Sequence, residues 1–194
     1  MTLMRTLLIP LILLVGSLAA CTGQSTVKPV ETLDQQTGVT VGALKSPIEL
    51  VMQTQSATLA FGKHPNFAYL GPVEWNRSGV LSYSLWIHVS PGNNRQPGDI
   101  RAPNALTLLL DDGPLVLSPS EAPKLGGDPY TPAVSWGQTA YFDLTTDTLK
   151  RMAASRKLEL DVRAVDGSIL SFTPTLDAHA ALTQYLRDRG ITGD

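Results

Sequence analysis

The chain has 194 residues, 15 basic and 17 acidic side chains, a net charge of −2 at pH 7 and one cysteine. Charge this mild excludes a nucleic-acid partner, which calls for clustered cations, and no basic run long enough to track phosphates occurs. A lone cysteine excludes an internal disulfide and a multi-thiolate metal centre, and no repeat of fixed period marks a solenoid.

The first 20 residues follow the order of an export signal: Arg5, an apolar run from Leu7 to Val15, then the small residues Gly16, Ser17, Ala19 and Ala20. The 14 residues from Leu7 to Ala20 would reach ~21 Å as a helix, short of a hydrocarbon core about 30 Å thick, so the segment reads as a signal and not as a span.

Cys21 stands directly after Leu18-Ala19-Ala20. This four-residue stretch resembles the lipobox of bacterial lipoprotein precursors. The resemblance implies a diacylglycerol thioether on the Cys21 sulfur, cleavage before Cys21 and acylation of the new amino group. No cofactor is expected beyond those covalent chains. Each buried CH₂ contributes ~0.8 kcal/mol; one acyl chain holds marginally and several hold stably, so a fully acylated Cys21 is a permanent membrane anchor. Thr22, where an aspartate would retain the protein, is similar to lipoproteins passed on to the outer membrane. The implied location is the cell envelope, lipid-anchored, at the outer membrane facing the periplasm.

From Cys21 onward 174 residues remain, enough for one domain with its own core. Residues 21–34 are polar, with Gly23, Ser25, Thr26, Lys28 and Pro29, and read as the lipidated cysteine and a flexible tether. Residues 35–194 read as a single β-rich domain. The stretch Glu31-Thr32-Leu33-Asp34…Thr37-Gly38-Val39-Thr40-Val41, with Leu70-Gly71-Pro72-Val73-Glu74-Trp75-Asn76-Arg77-Ser78-Gly79, resembles a group of uncharacterised proteobacterial lipoproteins. That resemblance brings no catalytic residue with it.

In chain order, 48–52 and 58–61 are short apolar runs consistent with strands. Strands at 67–75 and 80–89 flank a turn at Asn76-Arg77-Ser78-Gly79, with Leu81, Tyr83, Leu85, Ile87 and Val89 on one face and Ser82, Ser84, Trp86 and His88 on the other. A three-residue loop places Phe67, Tyr69 and Val73 on the apolar side; a two- or four-residue loop places Phe67 and Tyr69 beside Trp86 and His88. The burial argument favours three. Pro72 lacks the donor a central strand needs, which predicts an edge or a bulge. Loops rich in proline and glycine follow at 90–103 and 118–135, candidates for binding segments, with a hairpin between them around Asp111-Asp112-Gly113-Pro114.

A strand at 138–144 leads to a short helix capped by Thr145. The run 157–165 alternates as a strand buried on one face, and a three-residue loop at 166–168 brings Leu170 and Phe172 to that face. Thr173-Pro174 reads as the start of a last helix reaching about Arg189, ended by Gly190, with Ala178, Leu182, Tyr185 and Leu186 buried. These elements predict a mainly β fold, an antiparallel β-sandwich of about eight strands with a short crossover helix and a C-terminal helix. The alternative is an α+β single sheet backed by helices.

Chemistry is sparse. His64, His88 and His179 have no metal-ligand spacing, and a convergence of His64 and His88 with Asp111 or Asp112 competes with a simpler reading of the aspartates as turn formers and His88 as a strand residue. No catalytic or metal-binding set is assigned, and the chain is read as a non-enzyme. Trp86 and His88, with Trp75, Tyr130 and Trp136, form the candidate interaction patch, because aromatic groups beside polar ones suit protein or sugar contacts; the competing reading places them in the core. The expected role is a membrane-anchored envelope module that binds a protein partner or supports an assembly. A module for cell-wall glycan and a metal-dependent hydrolase are the alternatives.

Overall fold

The computed structural model describes residues 29–53, 66–90, 106–121, 127–132, 136–163 and 167–191. Cys21 with its signal-like leader, the expected strand at 58–61, His64 and nearly all of the 90–103 loop lie outside the described residues. The elements are β1 (Pro29–Leu33), β2 (Thr40–Leu44), β3 (Ile48–Met52), β4 (Phe67–Arg77), β5 (Val80–Ser90), β6 (Leu106–Leu110), β7 (Gly113–Leu117), β8 (Pro119–Ser120), β9 (Gln138–Leu144), α1 (Thr146–Ala154), β10 (Leu158–Arg163), β11 (Ile169–Pro174) and α2 (Ala178–Asp188).

Every strand pair is antiparallel, in the order β7-β6-β10-β11-β3-β4-β5-β9-β8. The mainly β class with a crossover helix and a C-terminal helix is as expected. The facing layers are continuous with one another: β7 bends into β8 at Ser118, whose carbonyl accepts from the Asp143 amide, and β8 pairs with β9. The single sheet thus nearly closes as a barrel. Its inner face is mainly apolar, with Leu50, Leu70, Leu85, Ile87, Leu108, Phe142, Leu160 and Phe172 fully buried, and carries the buried Glu74 beside Arg189 at one end. Each such side chain contributes roughly 1.5–3 kcal/mol on burial.

The β4–β5 hairpin pairs Arg77 with Val80, so its loop is the two residues Ser78 and Gly79, with φ of 53° and 89°. This corrects the expected three-residue loop and sets Tyr69 opposite His88 and Gly71 opposite Trp86. The burial argument failed here because the second half of β5 is buried on both faces. Two positive φ values are the signature of the tight turn whose twist suits a hairpin.

Pro72 is not on an edge, contrary to expectation. β4 has β5 along one side, while its other side is shared: β3 pairs with Phe67–Leu70 and β2 with Val73–Asn76. Between them the chain leaves the sheet through Lys45-Ser46-Pro47, opposite Gly71-Pro72. The residue without an N–H therefore sits where β4 changes partners.

Residues 29–33, expected to belong to the tether, form β1, paired with β2 from Pro29↔Leu44 to Leu33↔Thr40. The ordered chain thus begins ahead of the expected boundary at 35. Asp34 then closes the turn by accepting from the amides of Gln36 and Thr37, both at 2.9 Å. β1 is tied to the far end of the chain. Arg189, 5 % exposed, places Nη1 2.5 Å from Glu31 Oε1 and 3.6 Å from Glu74 Oε1, and Nη2 donates to the Val30 carbonyl.

Helix α1 starts as expected, Thr145 Oγ1 accepting from the Thr148 amide. Leu170 and Phe172 face the core, since Val162↔Leu170 and Leu160↔Phe172 keep the apolar parity. The last helix starts later than expected: β11 runs through Pro174, and Asp177 caps α2 by accepting from the Ala180 amide. Ala178, Leu182 and Tyr185 are buried there.

Candidate functional site

The outer face of the β4-β5-β9 region carries Tyr69, Gly71, Val73 and Trp75 from β4, Ser84, Trp86 and His88 from β5, and Thr139 and Tyr141 from β9. An outer face of a barrel ordinarily meets water. Here residues 127–132, from the connection between β8 and β9, lie across it, and Tyr130 pins them down. Its ring lies against Gly71, where a Cβ would stand 2.3 Å from the Tyr130 Cζ. Its hydroxyl donates to the Pro72 carbonyl at 2.6 Å and accepts from the Leu44 amide at 3.0 Å. These are the backbone groups left over where β4 changes partners, so one side chain closes the gap in the ladder. Burial pushes the Tyr130 phenol far above its usual range.

Beneath this segment the rings stack in series. Tyr130 lies 5.1 Å from Trp86, Trp86 lies 5.9 Å from His88 at an interplanar angle of 12°, and Tyr69 packs 6.2 Å from His88. The imidazole shares a hydrogen bond between Nδ1 and Thr139 Oγ1 at 2.9 Å. Its Nε2 is closed off by the Gly137 backbone, where a Cβ would stand 2.4 Å away. Trp86 Nε1 and His88 Nε2 are buried without a hydrogen-bond partner. Desolvation pulls the His88 pKa below its usual range, opposed by the Trp136 carbonyl and by the Asp128 charge. A histidine walled in this way has no path to a substrate in this conformation.

Trp75 sits beside Tyr141 at 6.1 Å and donates from Nε1 to Ser84 Oγ at 3.0 Å. The Tyr141 hydroxyl donates to Asp128 Oδ1 at 3.1 Å, and burial with the Asp128 charge raises its pKa. Of the five aromatic and histidine residues singled out from the sequence, Trp86 stacks on His88 and meets Tyr130 at a tilt, Trp75 lies on the same face, and these four are buried. They are therefore not an open surface patch. Trp136 alone of the five faces solvent, at 53 % exposed. Tyr69, Tyr141 and Asp128 were missed. The Tyr69 signal was there in the two-residue loop alternative.

Among the described residues, clefts lie beside the Pro129-Tyr130 segment. One, of about 300 Å³, is lined by Val30, Thr32, Leu33, Asp34, Gln35, Gln36, Val41, Ala43, Gly127, Asp128 and Pro129. The other, of about 490 Å³, is lined by Lys45, Ser46, Pro47, Glu49, Tyr69, Pro129, Tyr130 and Thr131.

The aspartates weighed as partners of His88 are occupied at the β6–β7 turn. Asp111 Oδ2 accepts from the Arg156 amide at 2.7 Å, and Asp112 takes a bidentate pair from Arg151 at 2.6 and 3.0 Å. Both carboxyls lie below their usual pKa, Asp111 chiefly through the Arg156 amide and Asp112 through the Arg151 side chain. His179 bonds through Nδ1 to the Ala153 carbonyl at 2.6 Å, joining the two helices. No group of three or more His, Cys, Asp or Glu placed to hold a metal occurs among the described residues, and no described helix is long and apolar enough to cross a membrane. Compared with family models, curated proteins and solved structures, the chain matches none.

Proposed function

We propose that the protein is a bacterial envelope lipoprotein, anchored through Cys21 at the outer membrane and facing the periplasm, whose barrel serves as a binding or assembly module and not as an enzyme. The carrying observation is the order along the chain: an apolar signal, Leu18-Ala19-Ala20-Cys21, and a first strand opening eight residues later at Pro29. Fully extended, those residues reach at most about 28 Å, which keeps the barrel close to the membrane surface.

The packing supports binding by the outside of the barrel. Leu, Ile and Phe side chains fill most of the inner face, which leaves the outer face and the loops as the surfaces for a partner. A sugar platform needs several open ring faces, and Trp75, Trp86 and Tyr130 are covered, which leaves Trp136 alone among the residues singled out. This favours a protein partner over cell-wall glycan.

Expression of the wild type and of Cys21→Ser with a labelled fatty acid tests the anchor. The wild type is expected to carry label and sediment with the outer membrane, and Cys21→Ser to lose both. A Cys21→Ser chain that stays in the membrane fraction, or a wild type without label, sinks the reading.

A further inference from the structure

We propose that the cleft of about 490 Å³ beside Tyr69 binds a small zwitterion of dipeptide size, with Glu49 taking its ammonium and Lys45 its anionic group. The site is independent of the lipid anchor, and neither needs the other.

The walls are built by the fold. β2 ends at Leu44 and β3 opens at Ile48, so Lys45-Ser46-Pro47 is a short turn whose backbone Pro47 restricts. Glu49 follows on β3 and is held along both edges of its strand: it pairs with Tyr69 of β4, and its carbonyl accepts from the Thr175 amide at 2.9 Å. Residues directly opposite in a strand pair point to the same face, so the Glu49 and Tyr69 side chains emerge together on the outer face. Pro129 and Tyr130 close the other side of the cleft. The Tyr130 hydroxyl is engaged by Pro72 and Leu44, so that residue offers only its ring.

The polar groups that line the cleft are left over by the fold. Among the described residues the Lys45 and Glu49 side chains form no ion pair or hydrogen bond, with each other or with a neighbour, and the Ser46 and Thr131 hydroxyls have no partner. Tyr69 points to a ligand most directly. Its side chain is buried to 3 % exposure, yet its hydroxyl is not sealed in and makes no hydrogen bond among the described residues. A hydroxyl in such a place costs stability unless something in the cleft pairs with it. Burial, then the nearby Glu49 charge, raises the Tyr69 pKa, so the phenol stays a neutral donor. One cation and one anion decide the chemistry of the occupant: Glu49 repels a purely anionic ligand, Lys45 a purely cationic one, and a neutral sugar leaves both charges without a counterpart. A zwitterion meets both with charge-assisted bonds. The volume lies within the roughly 300–1,000 Å³ of small-molecule sites.

The test uses the full chain in micelles of an uncharged detergent, with alanylalanine and glycerophosphoethanolamine as probes, binding read by calorimetry and located by amide chemical shifts. At least one of the two zwitterions is expected to saturate the site and move the amides of Ser46, Glu49, Tyr69 and Thr131. The tighter of the two tells a free peptide from a lipid headgroup. Acetylating the ammonium of the probe that binds, or amidating the alanylalanine carboxylate, is expected to weaken binding at least tenfold. Lys45→Met, at an exposed position, should cost a similar factor and remove the penalty of amidation, and Glu49→Gln should remove the penalty of acetylation. Tyr69→Phe should weaken binding severalfold, and the Lys45 and Glu49 variants carry the test should that one misfold. Absence of saturable binding by either zwitterion, shifts confined to other parts of the chain, or blocked probes that bind as tightly as free ones overturn the proposal. So does N-acetylglucosamine binding as tightly as the zwitterions. Cys21→Ser should bind as the wild type does, which separates failure of this proposal from failure of the anchor.

Discussion

Leu85, Ile87 and Val89 on the inner face of β5 and Ser84, Trp86 and His88 on its outer face are all buried, by different means. The inner three meet other strands of the same sheet, and nothing short of opening the barrel exposes them. Of the outer three, Trp86 is covered by Tyr130 and His88 by the Gly137 backbone, while Ser84 accepts from the Trp75 indole. Burial on the inner side is a property of the whole fold, whereas on the outer side it hangs on a few named contacts. The outer side also keeps the unpaired polar atoms Trp86 Nε1 and His88 Nε2, as the inner side does Arg189 Nε beside Gly42.

The largest expected effect comes from breaking the inner side. Phe142→Ala removes a fully buried ring and should destabilise the whole domain by about 3–5 kcal/mol in urea unfolding, moving every probe together. Loss confined to one region would deny that the interior is one unit. Next comes Tyr130→Phe. It deletes the hydroxyl between Leu44 and Pro72 and should cost about 1–3 kcal/mol, the range for stranding a buried donor and acceptor. Hydrogen exchange is expected to quicken at the Leu44 amide while Phe142 and its neighbours stay protected. Gly71→Ala puts a methyl group where the Tyr130 ring lies, with a similar expected penalty of about 1–3 kcal/mol for overpacking. In a Tyr130→Ala background most of that penalty should vanish, and additive losses would mean that the ring and Gly71 do not meet.

The smallest effect is a pH slope. Because burial depresses the folded His88 pKa below 6.5, the unfolded chain binds a proton that the folded one refuses as pH drops through that value. Stability should therefore fall from about pH 6.5 downward, until folded His88 also protonates. Thermal midpoints from pH 7.5 to 5 should show this decline in the wild type and a flatter one in His88→Gln. Asp111 and Asp112, held below their usual range, act in a separate acidic window. An unchanged slope in the variant would clear His88 of the effect.

The inner side was readable from residue order. Period-2 alternation in β5 and β10 and the Leu170 and Phe172 register follow from side chains that see the core, and the Thr145 cap from an exposed bond within its own helix start. The outer side was not, because its burial comes from a segment about 45 residues away, and periodicity carries no information about what will cover a face. Trp86, His88 and Tyr130 were picked out for their chemistry, yet their stacking needed the loop length at Ser78-Gly79 that the burial argument chose wrongly. β1 was hidden for a related reason: it is exposed along most of its length, so its sequence looks like a tether until β2 and Arg189 are in place.

Arg189 gives the fold an order in time. It holds Glu31 from 158 positions further along the chain, so the earliest described strand to leave a ribosome is fastened only after the helix that carries Arg189 has followed it. Until α2 has emerged and docked, the Val30–Leu33 edge is neither straightened nor occupied by its own fold.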